Sequence, residues 1–176
     1  MSLQESREKR MFKLFKGKFV FGKKHGEILG APLEGKTVDS AEIRDEAFCG
    51  EMLGKGMAIR PVSGKVYAPV NGRVSLVSAA KHALTIISEG GAEILIHVGI
   101  DTVSMEGAPF LVYVNVEDKV KKGDLLAEFN LNMIKDAGLD TITPIVILNS
   151  KAYKKIKRFT GKMVKPGDDI AKLVKE

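Results

Sequence analysis

The stretch H-A-L-T-I-I-S-E-G-G-A-E-I-L-I-H-V-G-I-D-T-V, residues 82–103, reads as two apolar strands, 82–87 and 92–98, joined by a tight glycine turn. It carries two of the chain's three histidines, His82 and His97. A two-residue loop at Glu89-Gly90 sets His82 directly opposite His97, with Cβ atoms roughly 4.5–5.5 Å apart on one face. A loop at Gly90-Gly91, which suits a type I′ turn, makes them diagonal neighbours at roughly 7–8 Å. An odd-length loop sends the two side chains to opposite faces, because a slip of one residue inverts a strand. Two of the three turns therefore predict a histidine pair.

Outward from this hairpin, the chain from Glu27 onward is a series of short apolar runs cut by Gly, Pro, Asn and Asp, the pattern of an all-β domain. Two turn signals recur. A-P-L-E-G at 31–35 is echoed by A-P-V-N-G at 68–72, and V-K-K-G-D at 120–124 by V-K-P-G-D at 164–168. These echoes predict an antiparallel β-sandwich or barrel-like domain built from two related β motifs. Helices are expected to be few and short. Asn130 is placed to cap Leu131–Ala137 ahead of Gly138, and Ser150 to cap a lysine-rich helix over Lys151–Arg158.

Composition narrows the class. Hydrophobic residues make up 44% and charged residues 28% of 176, ordinary for a globular protein. The sequence shows neither a secretory signal nor an apolar run of the ~18–20 residues needed to span a bilayer. The single Cys49 excludes an internal disulfide, fits a reducing, cytoplasmic setting, and is expected to fill a small gap in the core. The net charge of +6 resides in residues 1–24, which hold eight Lys/Arg and two Glu; the remainder balances at twenty of each sign. A nucleic-acid footprint across a domain face is therefore unsupported. Within that tail, Met11, Phe12, Leu14, Phe15 and Phe19 alternate with Lys13, Lys16 and Lys18 at helical spacing. It reads either as a solvated leader or as a membrane-peripheral anchor, gaining roughly 1 kcal/mol per basic residue near anionic lipid. The domain proper then runs over 25–176, with His25 in an exposed loop.

Paired imidazoles suit phosphoryl transfer. A neutral ring nitrogen can attack a phosphoryl donor, and a second imidazole can donate an N–H to the equatorial oxygens. No metal or cofactor is required. Other chemistries fit less well. Zinc normally takes at least three protein ligands, no G-x-S-x-G elbow accompanies the histidines, and G-K-G at 54–56 is no phosphate loop. Gly99 offers a partner close approach to the strand, and Asp101 and Asp45 are candidate anchors for a partner's arginine.

Over residues 27–175 the chain resembles the glucose-family IIA domain of the bacterial phosphoenolpyruvate-dependent sugar phosphotransferase system. The resemblance rests on I-L-G-A-P-L-E-G-K-T-V (28–38), G-K-G-M-A-I-R-P (54–61), G-K-V-Y-A-P-V-N-G (64–72), K-H-A-L (81–84), E-I-L-I-H-V-G-I-D-T-V (93–103), V-K-K-G-D (120–124) and T-P-I-V-I-L-N (143–149). It implies an antiparallel β-sandwich with a shallow active-site depression. It further implies that His97 accepts a phosphoryl group from HPr, and that His82 supports onward transfer to the cysteine of a sugar-permease IIB domain. Zn2+ held by His82 and His97 is implied only where a partner donates a further ligand. The chain departs from the family at Ala80, where many members carry threonine, and at Ser78, where an aromatic is common; Phe48 remains. Ala80 and the absence of attached permease segments leave a second reading, a regulatory module whose partner binding depends on phosphorylation.

Overall fold

The computed structural model describes residues 26–175; the basic tail and His25 lie outside the described residues. Every strand pairing among them is antiparallel. The strands are β1 (Glu27–Gly30), β2 (Gly35–Asp39), β3 (Lys55–Pro61), β4 (Lys65–Tyr67), β5 (Gly72–Val77), β6 (Ala83–Ser88) and β7 (Glu93–His97). They continue as β8 (Phe110–Val112), β9 (Lys119–Val120), β10 (Leu125–Phe129), β11 (Thr143–Ile147), β12 (Lys155–Arg158), β13 (Met163–Val164) and β14 (Asp169–Val174). An eight-stranded sheet runs β13-β2-β3-β11-β7-β6-β5-β9, and two three-stranded sheets run β1-β14-β12 and β4-β10-β8.

The echoed turns occupy equivalent places. The amide of Ala31 donates to Asp168 and that of Ala68 to Asp124, both at the carbonyl; Gly167 and Gly123 return bonds to the carbonyls of Ala31 and Ala68. The two halves then cross, Gly30 donating to the carbonyl of Pro69 and Tyr67 to that of Pro32. In each basic turn the aspartate accepts from a backbone amide three residues earlier, Lys121 for Asp124 and Lys165 for Asp168, at 2.8 Å. Two related motifs clasped back to back are thus written into the hydrogen bonding.

The main core lies between the sheets and includes Leu29, Ile59, Ile86, Ile94, Ile96, Leu126, Ile145 and Ile170. A smaller cluster on the other face of the large sheet joins Val38, Ala58, Ala83, Leu95 and Val146 to Ile43, Phe48, Ile100 and Ile142. Strand β7 is therefore buried on both faces, with Ile94 and Ile96 toward one cluster and Leu95 toward the other. That double burial explains why its sequence runs apolar without alternation.

Two short α-helices complete the described residues, α1 (Glu46–Cys49) and α2 (Leu131–Asp136). The second matches expectation: Asn130 Oδ1 accepts from the Met133 amide at 3.0 Å, and Gly138 follows with φ +76°. The helix expected at Lys151–Arg158 is absent. A short 3-10 turn at Ser150–Ala152 leads into strand β12, whose side chains alternate in exposure and whose Ile156 sits opposite Leu173. Pairing with β14 overrides the helical spacing of the lysines, and the Ser150 hydroxyl accepts from the Lys55 amide instead of capping a helix. Cys49 is exposed, not a core filler, because this single helical turn buries only Phe48.

Candidate functional site

The hairpin register differs from both even-loop alternatives. Ile87 pairs with Glu93 and Ala83 with His97, so the loop is the three residues Glu89, Gly90 and Gly91. The Ser88 hydroxyl accepts from the Ala92 amide at 2.8 Å, and Gly91 adopts φ +89°, the left-handed residue that ends a three-residue hairpin loop. In a regular strand this odd loop would separate the histidines. They meet nonetheless, with ring centroids 4.8 Å apart and planes at 81°.

The reason lies just ahead of β6. Residues 78–83 form a tight connection in which Ser78 donates to the carbonyl of Ala83 and Lys81 to that of Ser78. Lys81 takes φ +60°, uncommon for a residue with a side chain and costing of order 1–3 kcal/mol. His82 thus precedes the regular strand, and its ring turns onto that of His97 while its carbonyl accepts from Val98 at 2.8 Å. Phe48 closes the other side of His97 at 5.0 Å between centroids. Its helix is started by Asp45, whose Oδ1 accepts from the Ala47 amide at 2.9 Å. His82 and His97 are both buried, with about 5% of each surface exposed (4% and 5%).

Nδ1 of His97 lies 2.8 Å from the Gly99 carbonyl. A carbonyl can only accept, so Nδ1 carries the proton and the neutral ring places its lone pair on Nε2. His82 Nδ1 lies 3.2 Å from the Ser78 hydroxyl, which also accepts from the Ala83 amide at 3.1 Å. Ser78 was visible in the sequence only as the place of a missing aromatic; its position four residues ahead of His82 was the available signal.

The remaining candidates fall differently. Gly99 is buried with φ +74°, and a Cβ there would meet Thr102 Cγ2 at 2.5 Å and the Asp140 carbonyl at 2.9 Å. The close approach that demands glycine is made by the chain itself, not by a visiting surface. Asp101 is exposed at φ +59°, where it opens the 3-10 turn Thr102–Met105. Asp45 is half-buried and occupied in helix capping. Among the described residues no cluster of three or more His, Cys, Asp or Glu forms a metal-holding group. Two imidazoles therefore fit a zinc ion only if its other ligands come from outside those residues.

Residues 27–153 match the family described as phosphoenolpyruvate-dependent sugar phosphotransferase system, EIIA 1. The chain belongs to this family. It is 43% identical over 149 residues to the glucose-specific EIIA component of Bacillus cereus, covering 84% of this chain and 90% of that protein. It is also 43% identical over 148 residues to the β-glucoside-specific EIIBCA component of Dickeya chrysanthemi, covering 84% of this chain but only 24% of that longer protein. The chain thus spans about a quarter of the β-glucoside relatives it matches. Among solved structures, glucose permease IIA from Mycoplasma capricolum superposes with a TM-score of 0.79 at 34% identity, covering 88% of this chain and 99% of that one. The β-sandwich and the phosphocarrier role within a sugar phosphotransferase system follow from this membership. No helix among the described residues is long and apolar enough to cross a membrane.

Proposed function

We propose that Nε2 of His97 takes a phosphoryl group from phospho-HPr and yields it to the cysteine of a sugar-permease IIB domain, with His82 assisting the second step. The carrying observation is the Nδ1–Gly99 bond, which fixes the tautomer that leaves the lone pair on Nε2. In the first transfer that lone pair forms a new N–P bond as the donor's N–P bond breaks, and its electrons stay with HPr. In the second, a cysteine thiolate attacks phosphorus and the N–P electrons return to Nε2. His82, at 4.8 Å between centroids, is close enough for an N–H to meet the equatorial oxygens as charge redistributes.

A IIB acceptor is favoured by the β-glucoside relatives, which are named EIIBCA components. Phe48 and Asp101 are assigned to the rim that partners meet, Phe48 as the apolar wall and Asp101 as the exposed anion; Asp45 and Gly99 hold that rim in shape. The reaction requires no cofactor in this reading, and Zn2+ binds the two histidines only with a ligand from a partner. The chain works in the cytoplasm, with the basic tail making weak contact with the membrane surface. Incubation with phosphoenolpyruvate, enzyme I and HPr tests the first transfer: an acid-labile adduct is expected, and its absence rejects the reading.

A further inference from the structure

Charge is segregated along this chain in a way that phosphoryl transfer does not use. Residues 25–150 hold eleven Lys/Arg against seventeen Asp/Glu, whereas residues 151–176 hold nine against three. Between 151 and 165 there are seven basic residues and no acid. Strand β12 presents part of this run on the outer face of the β1-β14-β12 sheet, where Lys157 stands directly opposite Lys172 and Lys155 opposite Val174. Like charges placed opposite one another destabilise a sheet, so the folded state bears a cost that packing does not require. Ile28, 40% exposed, completes the row beside Lys172. Phe159 continues it, half-buried, with the ammonium groups of Lys157 and Lys162 at 5.4 and 5.5 Å from its ring centre. Met163, four residues further along the chain in β13, is 61% exposed.

Among the described residues the nearby acids are engaged elsewhere: Asp169 with Lys122, Asp168 in its own turn, Glu27 with Ser88, and Glu51 with Arg158. Among the described residues, Lys155, Lys157, Lys162 and Lys172 form no ion pair.

We infer that this face of the folded domain docks on an anionic phospholipid bilayer. Three features favour lipid over an acidic protein. The cations facing out are lysines, compact point charges suited to a diffuse anionic plane, while the one arginine of the run, Arg158, is turned inward to Glu51 and the Gly56 carbonyl. Apolar side chains are interleaved with them, so lysine stems can lie along the interface while ammonium groups reach phosphate. The sheet also begins with β1, the strand that the basic tail directly precedes in the sequence.

The test is co-sedimentation of the full chain with vesicles of phosphatidylcholine alone or mixed with 40% phosphatidylglycerol. The parent should bind only the mixed vesicles, and release in 0.5 M salt. Lys155→Gln/Lys157→Gln/Lys172→Gln should reduce partitioning on the order of 100-fold. The control Lys119→Gln/Lys121→Gln/Lys135→Gln, with the same change in net charge, should retain it. Equal binding by parent and face variant, equal loss in the control, or failure of the parent to bind overturns the inference. So does retention on a polyglutamate matrix without retention on vesicles, which would assign the face to an acidic protein. Matched thermal midpoints keep unfolding out of the comparison.

Discussion

His97 donates its Nδ1 proton to the carbonyl of Gly99, two residues further along its own chain, at 2.8 Å. Backbone geometry thus sets which nitrogen of His97 keeps its lone pair: Gly99 turns at φ +74°, and Thr102 and Asp140 leave no room for a side chain there. Gly99→Ala should therefore disturb His97 without removing any group from it. We expect about 1–3 kcal/mol of destabilisation by urea unfolding, together with slower phosphoryl acceptance than expected from stability alone. Unchanged acceptance in the folded variant would separate the carbonyl from the chemistry.

Removing the second imidazole should split the two transfers. His82→Gln is expected to accept phosphate from phospho-HPr but to deliver it to IIB on the order of 100-fold more slowly. Single-turnover measurement of both steps checks this, and normal onward transfer would strip His82 of its assigned part.

The Ser78 hydroxyl serves both His82 Nδ1 and the Ala83 amide. Ser78→Ala leaves two buried groups without that partner and should cost about 1–3 kcal/mol. The His82 ring should also lose its fixed orientation, visible as averaged imidazole resonances in NMR. Retained stability and a single ring environment would show that neither group depends on Ser78.

Burial pushes the Glu93 carboxyl above the usual carboxylate range. Its charged form is then disfavoured in the folded state, so stability should fall as pH rises from the unfolded pKa through the folded one, and stay lower above it. Glu93→Gln should accordingly be more stable than the parent at pH 7, with the advantage shrinking toward pH 4. Urea midpoints across that interval decide it; a constant difference would show that the effect is not titration.

The hairpin, the clasped pair of motifs and the Asn130 cap were legible in the sequence because each rests on local signals: apolar runs, turn residues and one capping side chain. The histidine contact was predicted by a register the molecule does not adopt. Two glycines suggested an even loop, but Ser88 and Gly91 close a three-residue one, and the rings meet through the left-handed turn at Lys81. A lysine gives no sign of positive φ, so that turn could not be read. The lysines of 151–158 pointed to a helix, while the deciding signal, Ile156 between Lys155 and Lys157, spans too few residues to outweigh them. Cys49 was misplaced for a related reason: whether one turn of helix buries a given side chain depends on contacts far away in sequence.

Phosphorus NMR of the protein after reaction with phosphoenolpyruvate, enzyme I and HPr tests the central claim most directly. A single acid-labile resonance of Nε2-phosphohistidine, lost in His97→Gln and kept in His82→Gln, is the predicted result. An Nδ1 adduct, an adduct that survives His97→Gln, or no adduct at all would contradict it.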